Sequence, residues 1–139
     1  MAKTIDMQFI QYMSFFERVM GLRTVHCFSY NRNIIFVVQP NFMARAIGEH
    51  GNNTKNLSLK LKKRVKIIAE PSGLKDIQKF VSAIVYPVKL NKIIIENDEA
   101  VISASPQERA ALIGRDKVRL EELRNILEEY FSIKKLRIV

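Results

Sequence analysis

The sequence predicts an α+β protein made of two tandem copies of one unit, each a three-stranded sheet backed by helices. Three observations support this prediction. The order helix, strand, strand, helix, helix, strand occurs twice within 139 residues. The pair Ile47-Gly48 recurs as Ile113-Gly114, 66 residues later, and other matches share this offset. A Pro-Ser-Gly break at residues 71–73 separates the copies, so we expect domains at 1–70 and 74–139 joined by this short linker.

Each element of the first copy follows from the type and spacing of its residues. Apolar residues at spacings of three and four, from Ile5 to Met20, predict the first helix, and Gly21 ends it. Two runs of β-branched and aromatic residues predict strands, and residues 31–33 between them predict a hairpin turn, because Asn tolerates positive φ. Pro40 favours a helix start. The predicted elements are a helix over 4–20, strands over 23–30 and 33–39, helices over 40–47 and 53–63, and a strand over 64–70.

The second copy has a stronger helix-start signal. Ser105-Pro106-Gln107-Glu108 has Ser at the cap position, Pro first in the helix and Glu three residues after the Ser. That short helix ends at Gly114, and a longer amphipathic helix follows it. The predicted strands cover 88–97, 100–105 and 133–139. The residues expected to face inward are Leu74, Ile77, Val81 and Ile84 in the first helix and Leu120, Leu123, Leu127 and Phe131 in the last.

The composition indicates a globular, basic, cytoplasmic protein. The hydrophobic share of 47% is too high for a disordered chain, and no apolar run is long enough to span a membrane. The lone Cys27 cannot form an internal disulfide, which favours a reducing compartment. The net charge is +9, and residues 1–70 supply +7 of it, with 11 basic and 4 acidic side chains. Such a charge is typical of proteins that bind a polyanion, most commonly nucleic acid.

The stretch "AIGEHGNN", residues 46–53, contains a G-x-x-G loop between two predicted short helices. Glycine at Gly48 and Gly51 allows positive φ, and the missing side chains allow a phosphate backbone to approach the peptide backbone. The following helix start carries partial positive charge, which also favours a phosphate. The pattern alone leaves two interpretations open, a phosphate-binding loop or a simple elbow between helices.

In its context this loop resembles that of a K-homology (KH) domain, a single-stranded RNA-binding module. The resemblance covers "VVQPNFMARAIGEHGNNTKNLSLKLKKRVKIIAE", residues 37–70, and the element order is similar to the type II form. It implies two tandem type II KH domains, each with a three-stranded mixed sheet packed against helices. Two such domains in a chain this short resemble the archaeal NusA-like transcription factors. The segment "IGRDKVRLEEL", residues 113–123, also resembles the second KH domain of that family.

The resemblance implies that both loops contact RNA. The second loop departs from the pattern, because Lys117 stands where the family has its second glycine. We therefore expect a degenerate second loop, in which basic side chains offset the lost glycine. The residues assigned to RNA contact are Ile47, Gly48, Glu49, His50, Gly51, Asn52, Lys55, Lys62 and Arg64 in the first copy, and Gly114, Arg115, Asp116, Lys117 and Arg119 in the second.

The resemblance further implies non-catalytic binding of nascent transcript in transcription termination or antitermination. The alternative is a protein-interaction module that docks on RNA polymerase or another transcription factor. No enzyme, metal or cofactor is expected, because the sequence has no G-x-x-x-x-G-K, no H-x-x-x-H and no cysteine pair. The surface around residues 114–119 discriminates between the two functions: exposed apolar side chains favour protein docking and basic ones favour RNA.

Overall fold

The computed structural model describes residues 7–139, and this part of the chain is an α+β structure with six α-helices and two three-stranded sheets. The chain divides into two compact units, the first ending at Glu70 and the second covering Pro71–Val139. The predicted helix start at residue 4, with Ile5, lies outside the described residues.

The element order repeats from one unit to the next, as predicted. In both units the second helix and the third are separated by a short loop. The first unit contains α1 (Met7–Met20), β1 (His26–Tyr30), β2 (Asn33–Val38), α2 (Met43–Ile47), α3 (Asn52–Leu61) and β3 (Val65–Ala69). The second contains α4 (Ile77–Val85), β4 (Lys92–Glu96), β5 (Glu99–Ser103), α5 (Pro106–Ile113), α6 (Val118–Phe131) and β6 (Lys135–Ile138).

Both sheets have the same mixed topology. In the first sheet the central strand β2 pairs antiparallel with β1 and parallel with β3, so that Ile34 lies opposite Ser29 on one side and Val65 on the other. In the second sheet β5 pairs antiparallel with β4 and parallel with β6. The predicted hairpin is present: Asn31 and Arg32 both have positive φ, 51° and 65°, which suits the twist of a two-residue turn.

The core of the first unit lies between its sheet and its three helices. Phe16 of α1 stacks on Phe36 of β2, with ring centroids 4.7 Å apart. Ala46 of α2 and Leu57 of α3 are buried in the same cluster, together with Ile67 of β3. Helices α2 and α3 are thereby fixed on the sheet, which positions the loop between them.

The start of the second unit corrects one prediction and confirms another. Leu74 was expected to face inward, but it is 53% exposed, because residues 74–76 form a single 3₁₀ turn and α4 begins only at Ile77. Asp76 in that turn accepts hydrogen bonds from the backbone N–H and hydroxyl of Ser72, and these bonds lower the pKa of its carboxyl. The predicted cap of α5 is confirmed: the Glu108 N–H donates to Ser105 Oγ at 3.4 Å.

Helix α6 has 14 residues where its counterpart α3 has 10. Both helices end at a non-glycine residue in the left-handed conformation, Lys62 with φ 56° and Ser132 with φ 57°. Glycine or asparagine is the usual residue there, because other side chains are strained at positive φ.

Candidate nucleic-acid interface

Each unit has one candidate site, a loop at the equivalent place in its fold. The first loop, Gly48–Gly51, joins α2 to α3, and the second loop, Gly114–Lys117, joins α5 to α6. Each loop contains one 3₁₀ turn, at residues 49–51 and 115–117.

The two loops have the same backbone conformation. The first residue has φ 81° and ψ 170° at Gly48, and φ 75° and ψ 171° at Gly114. The third has φ 55° in both loops, at His50 and Asp116. The fourth is left-handed in both, with φ 72° at Gly51 and 62° at Lys117. The exchange of glycine for lysine has therefore changed the side chain of the second loop but not its backbone path.

The first glycine of each loop is required for two reasons. Its φ and ψ lie in a region that only glycine occupies without large strain. A Cβ at Gly48 would also lie 2.8 Å from the side chain of Asn53, and a Cβ at Gly114 would lie 2.7 Å from Cγ of Arg119. The tight turn thus brings the first loop residue against the first turn of the next helix.

The fourth position is far more tolerant. A Cβ at Gly51 meets no atom within 4 Å. Any residue that accepts a left-handed conformation fits there, at a cost of about 1–2 kcal/mol for an ordinary side chain. Lys117 is such a residue, and its exposed side chain projects a positive charge from the loop.

Neither of the following helices has a side-chain cap. The N-cap residue of α3 is Gly51 and that of α6 is Lys117, and no side-chain hydrogen bond caps either helix. The Asn52 N–H donates to the Glu49 carbonyl and the Val118 N–H to the Arg115 carbonyl, and the start of each helix still carries partial positive charge. In helix α5, by contrast, the Ser105 side chain accepts a hydrogen bond from the Glu108 N–H.

The side chains of the two loops differ in charge. In the first loop the side chains of Glu49 and His50 project into solvent and are 87% and 81% exposed. His50 Nε2 lies 3.6 Å from Oε1 of Glu49. In the second loop Arg115, Asp116 and Lys117 are all exposed. The second loop is therefore the more basic, although it lacks the second glycine.

One predicted contact residue is already engaged within the protein. Arg119 Nη1 lies 3.0 Å from Oε1 of Glu122 one turn along α6, and its side chain is only 19% exposed. At the equivalent position of the first unit, Asn53 Nδ2 donates to the carbonyl of Arg45 at 3.0 Å and ties α3 to α2. Neither link was predicted from the sequence, although the i, i+3 spacing of Arg119 and Glu122 is a signal for the ion pair.

The remaining predicted residues lie in different places. Ile47 is partly buried and packs against the core, immediately before the first loop. Asn52 and Lys55 are exposed in the first turn of α3, next to that loop. Lys62 and Arg64 follow the other end of α3, about 14 Å away along nine residue rises of the helix. The structure therefore does not bring these last two residues to the loop.

The described residues contain no arrangement typical of a metal or thiol centre. Between residues 7 and 139, no three His, Cys, Asp or Glu side chains lie close enough to hold a metal ion. Burial raises the pKa of the Cys27 thiol to about 12, so it stays protonated near neutral pH and is a poor nucleophile. In the same part of the chain, none of the helices has the length and apolar character needed to cross a bilayer.

Fold and loops together define a class of protein: two consecutive α+β units, each with a mixed sheet and a glycine-initiated loop leading into an uncapped helix. No protein-family model matches the chain. A crystal structure of a protein called APE1850 has a similar fold, with a TM-score of 0.66 and 27% identity. The match covers 97% of this chain and all of that one.

Curated relatives of the chain are archaeal proteins, each named probable transcription termination protein NusA. The relative from Methanococcus vannielii is 28% identical over 94% of this chain and 76% of its own length. The relative from Halococcus morrhuae is 25% identical over 96% of both chains, and that from Thermoplasma acidophilum is 22% identical over 97% and 94%. The chain is therefore NusA-like, with archaeal proteins as its relatives.

Proposed function

We propose that the protein is a pair of type II KH domains that binds single-stranded RNA without catalysis, through the loops Gly48–Gly51 and Gly114–Lys117. The domains are residues 1–70 and 74–139. The NusA-like relatives support nascent transcript as the RNA and termination or antitermination as the process in which it is bound.

The observation that carries this proposal is the recurrence of one loop backbone in both units. The first glycine serves the tight turn with or without a ligand, but in both units the same turn also leaves the following helix without a side-chain cap. Both features suit a phosphate backbone, which accepts hydrogen bonds from exposed N–H groups and requires close approach. The order of elements and the parallel pairing of each central strand with the last strand also fit two type II KH domains.

The side chains around the second loop favour RNA over protein docking. Its exposed residues 115–117 are charged, two basic and one acidic. Val118, 45% exposed, is the only large apolar side chain that residues 114–119 expose. A single exposed apolar residue is common on any surface and makes no docking patch. Contact with RNA polymerase or another transcription factor remains the alternative function.

One matched pair of substitutions tests the loops. His50→Asp and Arg115→Glu give both loops the same Glu-Asp pair after the first glycine, and Asp116 shows that Asp fits the third position. If the loops cradle phosphate, the added carboxylates repel it. We expect the affinity for a labelled single-stranded RNA to fall at least about fivefold for His50→Asp, about 1 kcal/mol, and further for Arg115→Glu.

The control is Gln107→Asp, an exposed position at the start of α5, where an acidic residue suits the helix. It changes the net charge by the same amount as His50→Asp and should alter affinity less than about twofold. Fluorescence anisotropy measures binding, and circular dichroism confirms folding. Wild-type affinity in both folded loop variants would reject the loops as the RNA site. Equal affinity for a duplex of the same length would reject the single-stranded mode.

A further inference from the structure

A basic surface lies at the opposite end of the first unit from its loop. We name it the far-end basic cluster: Arg32 in the β1–β2 turn, Lys60 in the last turn of α3, and Lys62, Lys63 and Arg64 between α3 and β3. All five side chains are exposed. The strand register brings them together, because β2 and β3 are parallel and begin side by side, and the Ile34 N–H donates to the Arg64 carbonyl at 2.8 Å.

No carboxylate described in the first unit lies at this end. Glu17 accepts hydrogen bonds from the N–H and hydroxyl of Thr24, before the start of β1. Glu49 is in the first loop, and Glu70 follows β3, where its N–H donates to Val38 at the end of β2. These positions lie at the other end of the sheet, about 17 Å away for a five-residue strand. The five positive charges are therefore not neutralised within the described part of the unit.

The backbone shows that two of these charges occupy unfavourable positions. Arg32 has φ 65° and Lys62 has φ 56°, where glycine or asparagine is preferred. A basic residue near a helix C-terminus complements the helix dipole, which accounts for Lys60 and in part for Lys62. It does not account for Arg32 or Arg64, which lie on turns that lead into strands.

The equivalent end of the second unit is not a basic surface. Its turn and strand ends carry Glu96, Asp98 and Glu99, and the last turns of α6 carry Glu128 and Glu129. Two basic side chains there form ion pairs. Arg137 Nε lies 3.7 Å from Oε2 of Glu99, and Arg124 Nη1 lies 3.4 Å from Oε1 of Glu128. The shared fold therefore does not by itself impose a basic surface at this end.

We propose that the far-end basic cluster is a second RNA-binding surface, which holds phosphates of the transcript beyond the segment bound at the loop. Lysine-rich surfaces fit a phosphate backbone better than a protein partner, because lysine is depleted at protein–protein interfaces. Leu59, 75% exposed next to Lys60, is a single apolar side chain and makes no docking patch. Four stacked nucleotides rise about 14 Å, so a strand held at the loop must continue by at least about this length to reach the cluster. The proposal rests on the RNA binding proposed above, but it does not depend on the loops.

The test uses the full chain and two labelled single-stranded RNAs of random sequence, five and twenty nucleotides long. The cluster variant combines Lys62→Gly, Lys63→Gln and Arg64→Gln, where glycine also relieves the positive φ. The control variant combines Lys134→Gln, Lys135→Gln and Arg137→Gln at the equivalent end of the second unit, with the same loss of charge. For the longer RNA we expect the cluster variant to lose about tenfold in affinity. The slope of log binding constant against log salt concentration should become shallower by about 2, because three charges are removed.

The same cluster variant should bind the five-nucleotide RNA as wild type does, and the control variant should change less than about twofold on both. Equal losses in the two variants would reduce the effect to net charge and overturn the proposal. A loss on the short RNA would assign the cluster to the loop site. Wild-type affinity for the longer RNA, with weakened binding of poly-glutamate, would assign it to an acidic protein. If His50→Asp and Arg115→Glu leave RNA affinity unchanged while the cluster variant binds more weakly, the loops are rejected as the RNA site and the cluster is kept as one.

Discussion

The loop of the first unit and the loop of the second share one backbone conformation and differ in chemistry. The first has glycine at both ends and an acidic residue and a histidine between, whereas the second keeps only its first glycine and carries two basic residues. The comparison shows that the two glycines of a G-x-x-G loop have different structural roles. The first is needed for the fold of the turn, and the fourth position is open to any residue that tolerates a left-handed backbone.

The largest expected effect breaks the fold of the turn itself. Gly48→Ala and Gly114→Ala each force a Cβ into a glycine-only conformation and against a neighbouring side chain. We expect each to lower the free energy of unfolding by about 3 kcal/mol, measured by urea denaturation. Gly51→Ala is the matched control and should cost about 1 kcal/mol, because its Cβ meets open space. Equal costs at Gly48 and Gly51 would contradict the different structural roles of the two glycines.

A smaller effect comes from exchanging the fourth residues. Lys117→Gly should raise the free energy of unfolding by about 1 kcal/mol, because it relieves a left-handed lysine. It should also lower the affinity for single-stranded RNA about threefold, through loss of one phosphate contact. Gly51→Lys should do the reverse on both measurements. If Lys117→Gly leaves RNA affinity unchanged, that lysine does not reach the ligand.

The smallest expected effects concern the links behind the loops. Asn53→Ala removes a hydrogen bond to the Arg45 carbonyl and should cost about 1 kcal/mol of unfolding free energy. Glu122→Gln removes the ionic partner of Arg119 on a partly exposed helix surface and should cost only about 0.3–0.5 kcal/mol. Thermal denaturation at low and high salt distinguishes the stability costs of the two substitutions. The Glu122→Gln cost should vanish in about 1 M salt, and a cost that persists would rule out an ionic origin.

The order of elements was predictable because its signals are local. Asn31 and its neighbours marked the hairpin, Ser105 and Glu108 marked a helix start, and Gly21 marked a helix end. The internal repeat then applied the same order to both units, and the structure confirms two mixed three-stranded sheets. Leu74 was misplaced because its apolar spacing extends the helix pattern by one turn, whereas the backbone there forms a 3₁₀ turn.

The site was predictable only in part. The glycine pattern located both loops and marked the second as degenerate, but it did not indicate that the second loop keeps the backbone conformation of the first, with Lys117 left-handed in place of a glycine. Proximity in sequence suggested that Lys62 and Arg64 belong with the first loop. Helix α3 separates them from it, and pairing of β2 with β3 places Arg32 beside Arg64 instead. Such groupings depend on strand register, which local patterns do not specify.

The parallel pairing of β2 with β3 also sets an order of events during folding. The β1–β2 hairpin closes over two residues, but β3 reaches β2 only after the 26 residues 39–64 have folded into two helices and their loop. Contacts close in sequence form faster than distant ones. The turn at the first loop must therefore form before β3 can pair with β2. A growing chain that stops before Val65 leaves one edge of β2 unpaired. An open edge of this kind readily pairs with other chains, so slow turn closure at Gly48 would expose the nascent protein to aggregation.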